Sequence, residues 1–190
     1  MDKYDIVCSV DVGLMGGIAF FDYETKELLS LYSMPTKQST NKSGREKKVL
    51  DIDHLLHILE IPRQHGDKTI VVFEVIHSFG DAGFGIGTLM EELGIIRGMS
   101  KVLGYDEFSV APRTWQSHHK LICPKEIKGT SAKKTKYLRR KWLKENSLKL
   151  ARELFPSCQE KLKKVSDDGK ADALLLGKFY IDTVSEPLEV

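Results

Sequence analysis

The stretch VCSVDVGLMGGIAFF at residues 7–21 places one carboxylate, Asp11, between two apolar runs. Apolar runs on both sides of a glycine-rich turn predict two adjacent strands, with Asp11 at the end of the first. A carboxylate at the end of an apolar strand loses hydration and needs a compensating partner. The open alternatives are a hydrogen bond that caps the turn, a metal ion, or a phosphate-bearing ligand with its cation.

The length and composition favour one globular domain over residues 1–190. The chain is 41% hydrophobic and 29% charged, which allows it to bury a full core. Its three cysteines are far apart and form no zinc-binding spacing. The sequence has no secretion-signal pattern and no segment near 18 uninterrupted apolar residues. We therefore expect a soluble, intracellular protein with no membrane contact.

The charge of the chain is unevenly distributed, although the net charge is only +2. Residues 113–164 hold 16 Lys and Arg against 4 Asp and Glu, which leaves 13 against 23 in the rest of the chain. Clustered basic residues gain affinity for a phosphate backbone by releasing its counterions. The basic segment therefore predicts either a surface for a polyanion or a solvated helical face.

Hydrophobic periodicity predicts a mixed sheet with helices on both faces, in the order β-β-β-α-β-α-β-α. Residues 34–48 are polar and predict a mobile loop, and Pro62 is expected to end the first helix. The predicted elements are three strands within residues 5–33, a helix at 51–61, a strand at 69–75, a helix at 88–103, a strand at 108–111, basic helices within 120–164 and a last helix from about 168.

Four carboxylates are expected to meet at one edge of this sheet. Asp11 and Glu74 end two apolar strands, and functional clefts of open α/β sheets lie beyond strand ends. Asp168 and Asp172 are four residues apart and share one helix face. Carboxylates without a histidine or cysteine partner favour Mg²⁺ or Mn²⁺, and two such ions are typical of phosphodiester cleavage.

Several short blocks of the chain resemble one known family. The blocks are SVDVG and GIA near Asp11, VFE ending at Glu74, VAPRTWQ at 110–116, LARELFP at 150–156 and DGKADALL at 168–175. In this order they resemble the RuvC-like Holliday junction resolvases, phage-type branch, within the RNase H-like nuclease superfamily. The resemblance implies an RNase H-like α/β fold with a five-stranded mixed sheet. It also implies a homodimer that cuts opposed strands of a four-way DNA junction.

The resemblance assigns catalytic and metal-binding roles to Asp11, Glu74 and Asp172. The family spacing would place the fourth acid at Gly169, so the role goes to Asp168 because it shares a helix face with Asp172. Asp167 remains an alternative. Residues 118–147 are a basic helical extension that a compact bacterial resolvase lacks.

The expected activity is hydrolysis of branched DNA with two Mg²⁺ ions per site, for which Mn²⁺ substitutes, leaving a 5′ phosphate and a 3′ hydroxyl. If the protein is phage-encoded, it would act in the cytoplasm of a bacterial host. Phe79 is a candidate wedge between bases, or a core residue. Trp115 is expected to anchor its helix in the core, outside the catalytic set. The remaining candidate DNA contacts are Arg113, Lys120, Lys133, Lys134 and Lys136.

Two other functions are compatible with parts of the sequence. A sugar-kinase or actin-like phosphotransferase also has an Asp-x-Gly turn after a strand, but it needs two such lobes to enclose ATP. We therefore expect no nucleotide cofactor. A non-catalytic DNA-binding domain of the same fold would need only the basic segment, and four retained acids argue against it.

Overall fold

The computed structural model describes residues 4–40, 44–65, 67–76 and 86–183. These residues contain one five-stranded sheet and one separate two-stranded sheet. The strands are β1 (Ile6–Asp11), β2 (Gly17–Asp22), β3 (Leu28–Ser33), β4 (Thr36–Thr40), β5 (Glu46–Leu50), β6 (Thr69–Glu74) and β7 (Asp106–Val110).

The large sheet is mixed and has the strand order β3-β2-β1-β6-β7. The strand β1 pairs antiparallel with β2 and parallel with β6, which in turn pairs parallel with β7. The helices are α1 (Ile52–Leu59), α2 (Ile61–Gln64), α3 (Ile86–Val102), α4 (Pro112–His118), α5 (Ala132–Leu154) and α6 (Asp168–Thr183), with 3₁₀ turns at Pro156–Leu162 and Val165–Asp167.

Apolar side chains cover both faces of the large sheet. Successive residues of a strand point to opposite faces, so Val7 and Cys8 of β1 belong to different clusters. Val7 packs in the cluster that includes α4, α5 and α6, whereas Cys8 packs with α1 and α3. A five-stranded mixed sheet with helices on both faces is therefore confirmed.

The helix α6 lies against the centre of the sheet, and eleven of its sixteen residues are buried. The buried hydroxyl of Ser9 in β1 donates a hydrogen bond to the carbonyl of Ala173, at 2.7 Å. A helix that is apolar almost all round can be stable only where neighbours cover it, and α5 covers the side of α6 that faces away from the sheet. This packing fixes the start of α6 relative to β1.

Two expectations about local structure are wrong. Residues 34–48 were expected to form a loop, but most of them belong to the antiparallel strands β4 and β5. Strand pairing satisfies their backbone groups without the apolar alternation by which a buried strand is recognised. Pro62 does not end the first helix; it lies in the first turn of α2, where a missing N–H costs nothing.

In the part of the chain that the structure describes, no helix is long and apolar enough to cross a membrane.

Candidate active site

Asp11 and Glu74 lie at the carboxyl ends of two neighbouring parallel strands. Val10 of β1 pairs with Phe73 of β6, so the two acids that follow them come to the same edge of the sheet. Five buried residues precede each acid in its strand, and each acid is only partly buried. The strands therefore end where the chain reaches a cleft.

The turn between β1 and β2 brings the start of α6 to the same edge. Gly16 and Gly169 form an isolated parallel bridge, which places two backbones side by side. A Cβ atom on Gly169 would lie 2.6 Å from the Cα of Gly16 and 2.9 Å from Oδ2 of Asp11, so no side chain fits there. The glycines at this turn thus make room for α6.

The four carboxylates that the sequence predicted line one cavity of about 600 Å³. Asp168 is the first residue of α6 and Asp172 follows one turn later, so both face the cavity from one side of the helix. Asp167 faces elsewhere: its carboxylate accepts a hydrogen bond from the backbone N–H of Lys164 and forms an ion pair with Lys170 at 3.0 Å. The structure thus brings Asp168, and not Asp167, to the other three acids.

Burial and mutual repulsion disfavour ionisation in this cavity. Burial raises the pKa of Asp11 well above its ordinary value, and the charges of Asp172, Glu74 and Asp168 raise it further, whereas Lys144 lowers it. Three acids within range of a fourth make each negative charge harder to form. A cation placed between them would relieve this repulsion.

Asp172 is the acid whose surroundings leave it least satisfied. Burial raises the pKa of Asp172 to about 7, with Glu74 and Asp168 adding to the rise, while the Ser147 hydroxyl and Lys144 oppose it. Its Oδ1 atom is buried and has no hydrogen-bond partner among the described residues. An orphaned buried carboxylate oxygen that faces a cavity is suited to receive a cation.

Glu74 has a partner that sequence reasoning did not assign to the site. Trp115, buried in α4, donates a hydrogen bond from Nε1 to Oε2 of Glu74 at 2.9 Å. Burial raises the pKa of Glu74, and this hydrogen bond opposes the rise. Trp115 anchors its helix in the core, as expected, but it also orients one of the four acids. No sequence signal connects two residues 41 positions apart.

Two basic residues of α5 also line the cavity and were not among the predicted site residues. Lys144 forms an ion pair with Oδ2 of Asp168, which is itself buried, and Arg140 lies one turn earlier on the helix. Their spacing of four residues puts them on the same face of α5. That spacing is readable in the sequence, but many other pairs in this basic helix share it.

A fifth acid, Glu92 in α3, was also missed. It is only 5% exposed and lines the same cavity, and burial raises its pKa, with the charge of Glu91 contributing. Leu89, Glu92 and Ile96 follow one another at helical spacing, so an acid on the inward stripe of α3 was visible in the sequence.

The donor set of the cavity fits hard divalent cations. The four carboxylates supply only oxygen atoms, which Mg²⁺ and Mn²⁺ prefer, and their repulsion favours bound positive charge. As the described side chains stand, no three Asp, Glu, His or Cys residues are arranged to hold one ion. Asp168 is instead paired with Lys144. The acids therefore match a divalent cation in donor type and charge, but not in the present positions of their side chains. Their metal-binding and catalytic roles remain predictions.

The five basic residues that were predicted to contact DNA lie outside this cavity. Arg113 and Lys120 are exposed, and so are Lys133, Lys134 and Lys136 in the first turns of α5. None of the five lines the cavity. At 1.5 Å per residue, these lysines lie about 12 to 17 Å before Lys144 along the helix axis. Phe79 lies outside the described residues.

Comparisons with known proteins give similarity at the level of structure. No protein-family model matches the chain. No curated protein matches it by sequence. Thermus thermophilus RuvC, solved in complex with a Holliday junction substrate, is 12% identical, with a TM-score of 0.47 over 95% of this chain and 97% of that one. The fowlpox virus Holliday junction resolvase is 14% identical, with a TM-score of 0.45 over 94% and 99%.

The first of these structures holds a Holliday junction substrate, and the second is a Holliday junction resolvase. The chain is similar in structure to these two proteins at low sequence identity. The functional argument that follows rests on the side chains in the cavity.

Proposed function

We propose that the protein is a metal-dependent DNA endonuclease that resolves four-way junctions and related branched DNA. The observation that carries this proposal is the convergence of Asp11, Glu74, Asp168 and Asp172 from three distant segments on one cavity. Buried acids that raise one another's pKa cost folding free energy. Such groups cluster at functional sites. The sequence resemblance to RuvC-like resolvases supplies the substrate class.

In this proposal the four acids bind two Mg²⁺ ions, for which Mn²⁺ substitutes. The bound ions would supply Lewis acidity, activating a water molecule and stabilising the oxygen that leaves. Trp115 holds Glu74 in place through its indole N–H. Attack on phosphorus with release of the 3′ oxygen would leave a 5′ phosphate and a 3′ hydroxyl.

Two basic side chains counter the negative charge of the cavity. Lys144 and Arg140 line it from α5, so an incoming phosphate would meet cations as well as carboxylates. Lys144 forms an ion pair with Asp168. A divalent cation that binds Asp168 would have to share this carboxylate with the Lys144 ammonium or displace the ammonium from it. The two residues are suited to hold the phosphate that undergoes cleavage.

The two cuts of junction resolution lie on opposed strands, so they require two active sites. We propose that two copies of the chain form a homodimer on the junction. Sedimentation of the protein alone and with one equivalent of junction DNA tests this stoichiometry. A complex with a single copy of the chain would contradict it.

The test of the activity compares the wild type with Asp11→Asn and Glu74→Gln. Each protein is incubated with Mg²⁺ and a labelled four-way junction, fork, flap or linear duplex, and products are resolved by length and end group. We expect the wild type to cut branched DNA, and each amide variant to bind the junction without cutting it.

The matched control is Asp53→Asn, which neutralises a side chain that is 95% exposed outside the cavity and should leave cleavage unchanged. Cleavage retained by Asp11→Asn would overturn the proposed site. Junction binding by a wild type that never cuts would favour the non-catalytic DNA-binding domain. Consumption of ATP in the presence of sugars would favour the phosphotransferase.

A further inference from the structure

The strands β4 and β5 form a projecting ribbon, here named the β4–β5 arm (residues 36–50, described for 36–40 and 44–50). Its pairing runs from Thr36 opposite Leu50 to Thr40 opposite Glu46, and its described residues pair with no strand of the large sheet. Five residues per strand give it a length of about 17 Å. Most of its residues are exposed.

The base of the arm is fixed beside the carboxylate cavity. Met34 is buried, and its N–H donates to the carbonyl of Gly16, which lines the cavity, at 3.0 Å. Leu50 is buried in the same apolar cluster as Met34. The N–H of Asp51 donates to the carbonyl of Pro35 at 2.9 Å, which closes the base. The arm therefore leaves the body at the edge where the four acids lie.

The arm is a basic segment in an otherwise acidic part of the chain. Residues 36–50 hold five Lys and Arg against one acid, whereas the chain outside this segment and outside 113–164 holds 8 against 22. Lys37 is partly neutralised by Asp51, at 3.2 Å. Lys47 and Lys48 are exposed, and neither forms an ion pair within the described residues.

A free two-stranded ribbon gains little stability of its own in water. This one has no apolar face along its exposed length, so burial against another protein would gain little hydrophobic free energy. The arm is positively charged, and a phosphate backbone attracts positive charge. Successive residues of each strand point to opposite faces of the ribbon. Charge and position together therefore favour a nucleic-acid duplex as its partner.

We propose that the β4–β5 arm is a second DNA-contact element, which holds the phosphate backbone of one duplex arm of the branched substrate beside the cavity. This inference rests on the proposed nuclease function. The body would then grip DNA from two sides: α5 supplies Arg140 and Lys144 on one side, and the arm supplies Lys47 and Lys48 on the other.

The test measures junction affinity as a function of KCl concentration, in Ca²⁺ in place of Mg²⁺ so that cleavage does not interfere. Lys47→Gln/Lys48→Gln should reduce the slope of log affinity against log salt by at least about 0.9, which corresponds to one lost phosphate contact because adjacent strand residues point to opposite faces, and weaken binding roughly tenfold in 0.1 M KCl. Lys47→Arg/Lys48→Arg keeps both charges and should restore the wild-type slope.

The matched control is Lys68→Gln/Lys101→Gln, which removes two exposed charges, one next to the start of β6 and one in the last turn of α3, and should leave the slope nearly unchanged. A melting temperature within the range of the wild type shows that each variant is folded. If the wild type binds junctions and the arm variant keeps its slope and affinity, the arm makes no DNA contact. If the wild type itself binds no DNA, the proposed function fails, whatever the arm does.

Discussion

Close backbone packing holds the start of α6, with Asp168 and Asp172, beside Asp11, whereas the side chain of Glu74 at the end of β6 is oriented by one hydrogen bond. This packing includes the Gly16–Gly169 bridge, where two backbones touch and no Cβ fits. The Glu74 carboxylate accepts a hydrogen bond from the indole N–H of Trp115, which is a contact between two side chains. The comparison shows two ways to place an acid in one cavity. At Gly169 no additional atom fits, whereas at Glu74 a single indole N–H orients the carboxylate.

The largest effect is expected at the glycine contact. Gly169→Ala would push α6 away from the turn after β1 and shift two acids relative to Asp11. Displacements near 1 Å lower enzymatic rates by about 10²-fold, and overpacking costs about 1 to 3 kcal/mol of stability. Rates of junction cleavage and the free energy of unfolding measure both effects.

The control for that substitution is Gly94→Ala in α3, where an added Cβ meets nothing within 4 Å. This change should stabilise the helix by about 0.5 to 1 kcal/mol and leave cleavage as it is. Equal effects of the two alanines would show that the close approach at Gly169 does not position the site.

The pH dependence of the free energy of unfolding would distinguish the buried acids of the cavity from ordinary surface carboxylates. The folded pKa of Asp172, about 7, lies above its ordinary value of 3.8, so the folded protein keeps a proton that the unfolded chain releases between those values. The contribution of Asp172 to the free energy of unfolding without metal should therefore be greatest below about pH 4 and fall by a few kcal/mol towards pH 7, against the opposite trend of Asp51 and Asp167, whose pKa values are lowered in the folded protein. Urea unfolding in EDTA across this range measures it.

Asp172→Asn removes that titration, so its stability should depend less on pH over the same interval. Adding Mg²⁺ at pH 8 should raise the melting temperature of the wild type more than that of the variant, because bound ligand stabilises the folded state. Parallel pH curves for the two proteins would contradict the assignment of the shift to Asp172.

A smaller effect is expected on the side of Glu74. Trp115→Phe keeps an aromatic ring in the core but removes the indole donor, and a hydrogen bond to a charged group contributes about 1.5 to 3 kcal/mol. Part of this is regained from water in the cavity, so we expect cleavage to fall about tenfold, which corresponds to about 1.4 kcal/mol. Single-turnover rates on a junction report it.

The control is Trp142→Phe, which changes the other tryptophan of the chain, half-buried in α5 outside the cavity lining. It should leave the cleavage rate near that of the wild type. A Trp115→Phe protein that cleaves at the wild-type rate would show that Glu74 is held without the indole.

The smallest effect is expected far from both sides of the cavity, at the start of α5. Ser131 caps this helix, because its side chain accepts a hydrogen bond from the N–H of Lys134 at 3.2 Å. Ser131→Ala should cost about 1 kcal/mol of stability. Since Lys144 lies about three and a half turns further on, cleavage at 25 °C should change less than twofold. Chemical unfolding and cleavage assays on one preparation test both statements.

The sequence predicted what local patterns encode. Strand ends marked Asp11 and Glu74, and helical spacing put Asp168 and Asp172 on one face, because these features depend on periodicity within a few residues. The contacts of Trp115 with Glu74 and of Lys144 with Asp168 join residues 41 and 24 positions apart. Only tertiary packing decides such pairs. The β4–β5 arm was missed because its strands are exposed and lack an apolar alternation.

The bridge between Gly16 and Gly169 also has a consequence for the order in which the chain folds. It joins residues 153 positions apart, and contacts of such high sequence separation form only after a long loop has closed. On a ribosome, β1 would emerge before α6, so the cavity would lack two of its four acids until α6 has been made. The four acids would thus come together only once α6 has docked against β1 and the turn that follows it.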